Sequence, residues 1–139
     1  MTTAQATRIT PETIRTASLY PLATLEARTA GTARVLVTRY WPRGVKRERI
    51  DDWWGPRLAP TAQTLKAYKA GAMTWETFAA AYWAQVILEI PILRLQTQTL
   101  IQWHGAITLL CHERCPRDGH DESDIHCHRR LLRDLLLEN

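Results

Sequence analysis

The sequence predicts a single compact α/β domain built on a small, mostly parallel sheet flanked by helices. Two segments, "ARVLVTRY" (33–40) and "AITLLC" (106–111), are short, continuous and apolar, as buried strands are. The stretch between them carries helix caps and helical periodicity, and strands separated by helices imply parallel pairing, because a parallel pair needs a long crossover. A chain of 139 residues with 45% hydrophobic content is a normal length for one domain and buries roughly 68–70% of its unfolded surface. Residues 1–12 read as a polar N-terminal segment and 13–139 as the domain.

Each element follows from local chemistry. "TIRTASL" (13–19) has strand character with loose patterning. Gly31 precedes the strong strand 33–40, and Pro42 and Gly44 stop it. The basic stretch that follows is expected to enter a short helix over Glu48 to Trp54, ending at Gly55-Pro56. Thr61 caps a helix through Tyr68 that Gly71 closes, and Thr74 caps the next, with Glu76 in its first turn. There Trp75, Phe78, Tyr82 and Val86, spaced by three, four and four, form a mainly aromatic stripe that reads as core. Pro91 suits the first turn of a helix that ends at His104-Gly105. Ser123 or Asp124 is the expected cap of a last helix whose apolar face is Leu131, Leu132, Leu135 and Leu136.

Charge and cysteine usage narrow the class. Lys plus Arg exceed Asp plus Glu by 18 to 14, a net charge of +4, which mildly favours an anionic ligand. Neither a secretion signal nor a transit peptide is legible at the start, and "VILEIPIL" is too short for a span and contains Glu89 and Pro91. The expectation is a cytoplasmic protein without a membrane segment. All three cysteines fall within 111–127, unlike a secreted disulfide framework and more like reduced thiols or ligands.

In parallel sheets ligands bind beyond the carboxyl ends of the strands. One strand delivers Arg39, Trp41 and Arg43 to that rim. The other delivers Cys111 and Glu113, and the chain returns through Cys127, His128 and Arg129 at a helix start.

At these residues the chain resembles a family catalogued as a domain of unknown function, number four-eighty-eight, which includes the YeaO-like proteins. "RVLVTRYWPRG", "DDWWGPRLAP", the Trp75, Phe78 and Tyr82 spacing and "ITLLC" carry the likeness. The terminal part is similar to a branch with Cys-x-Glu, a following proline and Cys-His-Arg, here Cys111, Glu113, Pro116, Cys127, His128 and Arg129. The resemblance implies a compact α/β fold with a shared rim and no established reaction. Family members commonly have Asp where this chain has Thr38, so an acid or base role there is not carried over.

Three readings of the cysteine-histidine segment compete. In the favoured one, Arg39, Arg43, Arg129 and the helix N-terminus accept a small anion, with Trp41, Cys111 and His128 beside it. A thiol-dependent extension makes Cys127 the reactive group, since a cap at Asp124 would put it third in the helix, where unpaired N–H groups favour a thiolate. Glu113 would orient an arginine or act as a general base; an Arg43–Glu113 ion pair without ligand is the structural alternative. In the less favoured reading Cys111, Cys115 and Cys127 bind zinc with His112, His120, His126 or His128, His128 being the preferred fourth ligand. A nucleic-acid-binding module is the rival from another class: "RYWPRGVKRER" offers five cations with interleaved aromatics. Asp51 and Asp52 follow at once, and a solvated basic loop is the favoured reading. Substrate, reaction, cofactor and oligomeric state are not legible.

Overall fold

The computed structural model describes residues 8–111 and 127–137. Among these, β1 (Ile14–Ser18), β2 (Ala33–Leu36), β3 (Asp52–Trp53) and β4 (Ile107–Cys111) form one sheet in the order β1-β4-β2-β3, every neighbouring pair parallel. This is the predicted α/β class. Ile107 stands opposite both Ile14 and Ala33, and Leu110 opposite Ala17 and Leu36. The most apolar strand is thus interior, and all five of its residues are buried, as expected of a parallel strand covered on both faces.

The helices are α1 (Leu25–Arg28), α2 (Ala62–Lys69), α3 (Trp75–Val86), α4 (Ile90–His104) and α5 (His128–Leu137), with a 3-10 turn, Ile87–Glu89, joining α3 to α4. The Thr61 and Thr74 hydroxyls accept from the amides of Thr64 and Thr77, both at 3.1 Å, so both predicted caps form. Pro91 lies in the first turn of α4, and Gly105 ends it at φ 93°, in the region glycine adopts without strain.

Alternation along β4 divides the core. Ile107, Leu109 and Cys111 point to the face covered by α3, α4 and α5, where they meet Tyr82, Val86 and Leu132. Leu110 and Leu36 point the other way, onto Leu19, Leu25 and Val45, with Trp41 and Ile50 packed outside them. Helices build the first face; α1 and loops build the second. Two arginines of α5 fasten it to β1: Arg130 donates to Thr16 Oγ1 at 3.3 Å and Arg133 to the Ile14 carbonyl at 2.8 Å. At its other end Arg94 of α4 donates to the carbonyls of Leu135 and Leu136 at 2.9 and 3.2 Å, a favourable place for a cation.

Three local expectations are corrected. The strand expected to reach Tyr40 ends at Leu36. Val37 N still donates to Leu110, but the Thr38 carbonyl accepts from Trp53 Nε1 and the Thr38 hydroxyl closes on the Tyr40 carbonyl, which turns the chain out of the sheet. The helix expected over Glu48–Trp54 is a 3-10 turn at Arg47–Arg49 followed by β3. Asp51 accepts from the Arg34 amide at 2.7 Å, and Asp52 from the Trp53 amide and the Trp54 indole. Such local side-chain bonds compete with helix. Finally, Ser123 and Asp124 lie outside the described residues, and α5 begins at His128. The Cys127 carbonyl accepts from Arg130 N and Leu131 N, so Cys127 occupies the cap position rather than the third helical one.

Gly55 passes so close to the turn that an added Cβ would lie 1.6 Å from the Thr38 carbonyl oxygen. Backbone cannot move aside cheaply, so Gly55→Ala is expected to cost more than about 3 kcal/mol in urea unfolding; near-wild-type stability would show that the turn adapts. The Thr97 hydroxyl is fully buried in α4 with no hydrogen-bond partner among the described residues. Replacing it with an isosteric methyl removes an uncompensated polar group, so Thr97→Val should be neutral or stabilising by about 1 kcal/mol. A loss in the same assay would mean that the hydroxyl is bonded in solution.

Candidate functional site

Parallel pairing places the ends of β1, β2 and β4 at one rim, and the start of α5 is seated there. Cys111 is the last residue of β4 and, by alternation, faces the helical side. Cys127 and His128 open α5 on that same side. One ligand atom from each of Cys111, Cys127 and His128 lies within 4.8 Å of the others, and all three residues are buried.

His128 is positioned from both ends of its ring. Nε2 lies 2.8 Å from the Val37 carbonyl oxygen. A carbonyl only accepts, so this contact fixes Nε2 as the protonated nitrogen. Nδ1 is left to face Cys127 Sγ at 3.8 Å. The edge of Tyr82 packs on the imidazole with centroids 5.8 Å apart, and the Tyr82 hydroxyl donates to the Leu58 carbonyl at 2.5 Å. Burial first, and then the nearby Cys127 and Cys111, push the Tyr82 phenol well above its ordinary value. Tyr82 is therefore a neutral wall of the site.

Arg129 is 2% exposed, and its Nη1 donates to Cys127 Sγ at 3.5 Å. A buried guanidinium on a sulfur favours negative charge there. Cys127 Sγ thus lies between His128 Nδ1 and Arg129 Nη1. With Cys111 and His128 it also supplies three ligands of the types zinc takes, and the Val37 carbonyl on the far nitrogen is the usual outer partner of a metal-binding histidine.

A pocket of about 180 Å³ opens beside this cluster, lined by His128, Arg39, Thr38, Pro60 and Leu65 among others. Arg39 Nη2 donates to the Pro60 carbonyl at 2.8 Å, which holds the guanidinium along the wall. Its Nε and Nη1 make no bond among the described residues. Arg39 and His128 thus line one pocket.

The other candidates are distributed differently. Trp41 packs against the opposite face of the sheet, with its indole donating to the Val45 carbonyl and its ring edge-on to Trp53 at 5.7 Å. Arg43 is exposed and does not line the Arg39–His128 pocket. Glu113 and Cys115, with Pro116, His112, His120 and His126, lie outside the described residues, as does the expected Arg43–Glu113 pair. In the basic stretch 39–49, Arg47 sits over the Trp41 ring at 5.4 Å and Arg49 is engaged by Glu26 at 2.8 Å. Two contributors were not read from sequence. The Val37 carbonyl carries no side-chain signal, and Tyr82 was read only as core because its contact depends on how α3 lies against α5.

The sequence pattern of a family described as the active DUF488-N3 subclade matches residues 14–139. The uncharacterized protein YeaO of Escherichia coli K12 is 33% identical over 54 residues, covering 38% of this chain and 47% of YeaO. The chain therefore matches about half the length of that relative. No solved structure matches the chain.

Proposed function

The chain belongs to the YeaO-like DUF488 family, in its DUF488-N3 branch, and from that premise we propose that it is a thiol-dependent enzyme acting on a small anionic substrate. The observation that carries this reading is the chain of contacts from the Val37 carbonyl through His128 to Cys127 Sγ, at 2.8 and 3.8 Å. An orienting acceptor, a base and a nucleophile in sequence is the logic of activated thiols. The Cys127 proton passes to His128 Nδ1, the resulting imidazolium keeps its Nε2–H on Val37, and Arg129 stabilises the thiolate. Arg39, with two donor nitrogens directed to neither Pro60 nor Ala59, recruits the anion beside His128. The family's description as active favours a reaction over binding alone. Glu113 keeps the role read from sequence, orienting an arginine or acting as a base.

A second reading rests on the same three ligand atoms within 4.8 Å: a zinc ion held by Cys111, Cys127 and His128, with Cys115 as the fourth ligand. The two readings part at Cys111, which the metal needs and the thiol does not.

Peptide-resolved alkylation tests the thiol. Below pH 8, Cys127 is expected to react at least about tenfold faster than a free thiol of pKa about 8.5, and Cys111 more slowly. His128→Gln should remove the excess rate. Phosphate or sulfate should slow the reaction and raise the melting temperature by mass action, and Arg39→Ala should abolish both effects while Arg43→Ala preserves them. Alkylation of Cys127 at the free-thiol rate, unmoved by anions, would sink this reading.

Metal content tests the alternative. The purified chain is expected to carry well under one zinc per chain, with Cys111→Ser leaving the Cys127 rate unchanged. Close to one equivalent, lost in Cys111→Ser together with stability towards chelator, would replace the thiol reading with the metal one.

A further inference from the structure

The outer face of α4 and of the 3-10 turn before it has no role in the site and carries an uncharged apolar stripe. Leu88, Ile92, Leu95, Thr99 and Trp103 recur at intervals of four, three, four and four, which keeps them on one side of the helical run. The large side chains among them are strongly exposed: Leu88 89%, Ile92 61%, Leu95 65% and Trp103 80%. The opposite side of the helix supplies Ile90, Leu93, Thr97 and Ile101 to the interior. Core packing therefore accounts for the inner face and leaves the outer one unexplained.

We propose that this stripe is the contact between two copies of the chain, paired antiparallel about a twofold axis near Leu95 and Gln96. The first argument is electrostatic. Between residues 88 and 103 the charged side chains are Glu89 and Arg94. Glu89 pairs with Arg57 at 3.4 Å, and Arg94 is turned inward onto α5. An acidic or basic partner finds nothing to pair with, whereas an uncharged face complements itself.

The second argument is area. The four exposed apolar side chains present roughly 600 Å² per chain, above what isolated surface residues contribute. Complete burial of two such faces would remove about 1,200 Å² from solvent, the lower bound for a specific interface. The third is geometric. In the antiparallel arrangement Leu88 of each copy meets Trp103 of the other, Ile92 meets Thr99, and the two Leu95 side chains meet at the axis. The seam extends roughly 23 Å, a length over which helix pairs pack side by side. By length and composition the run Trp75–His104 would also suit a membrane. A helix lying on a lipid surface is flanked by Lys and Arg, and this stripe is flanked by Gln96 and Gln102.

Sedimentation equilibrium on the 139-residue chain tests the proposal. The wild type is expected to be a dimer of twice the 16.0 kDa chain mass. Leu95→Glu should raise the dissociation constant by at least about tenfold without lowering the melting temperature of the monomer, because the residue is exposed. Leu88→Glu and Trp103→Lys should each weaken self-association, and mixing the two should restore a dimer, since each glutamate then faces a lysine. A wild type that stays monomeric up to about 100 µM, a dimer that survives Leu95→Glu, or a monomer that binds neutral phosphatidylcholine vesicles through this face would each overturn the proposal.

Discussion

Because β4 runs parallel to both of its neighbours, three strand ends leave the sheet at one rim, and alternation along β4 then decides what the rim can do. Cys111 falls on the helical side with Ile107 and Leu109; a shift of one residue would turn it toward Leu19 and Leu25 and away from Cys127. The same pairing sets Val37 beside Leu110, so that its carbonyl emerges where the first turn of α5 arrives. α5 in turn is held along its length, by arginines onto β1 and by Arg94 on its last carbonyls. The site is thus assembled by backbone register and helix anchoring before any side chain contributes its own chemistry.

The two faces of the sheet do different work. The helical face buries thiols, an imidazole and a guanidinium against apolar neighbours. There a hydrogen bond to sulfur is worth more than it would be in water, and an unpaired group costs more. The opposite face is closed by short turns, with Trp41, Trp53 and Arg47 near solvent. The basic stretch 39–49 lies largely there, and its charges are partly spent on Glu26 and on the Trp41 ring. That distribution explains how a net positive charge coexists with a site whose cations are few and individually placed.

Much of the fold was legible because its signals are local. A threonine before a helical stretch, a proline in a first turn, a glycine after a last one and a continuous apolar pentapeptide each act over a few residues, and each formed as expected. The segment after β2 was misread for a reason equally physical. "RERIDDWW" has helix-forming composition, and only the partners of Asp51 and Asp52, an amide on β2 and two groups on the tryptophans, convert it to an edge strand. At the site, Cys127, His128 and Arg129 were identifiable as a contiguous triplet with suitable chemistry, and Arg39 as a strand-end cation. Trp41 was misplaced because the sequence does not show that the chain turns out of the sheet at Thr38. The pairing of His128 with Val37 was invisible because it uses a main-chain atom distant in sequence.

That main-chain acceptor has an evolutionary corollary. An aspartate orienting a histidine can be lost by a single base change, whereas the oxygen that orients His128 is present whatever residue occupies position 37. Drift at that position can alter packing but cannot delete the contact; only a rearranged backbone can. A lineage can therefore vary the residues around this rim while the imidazole keeps its tautomer, because the contact depends on the course of the chain rather than on an identical side chain.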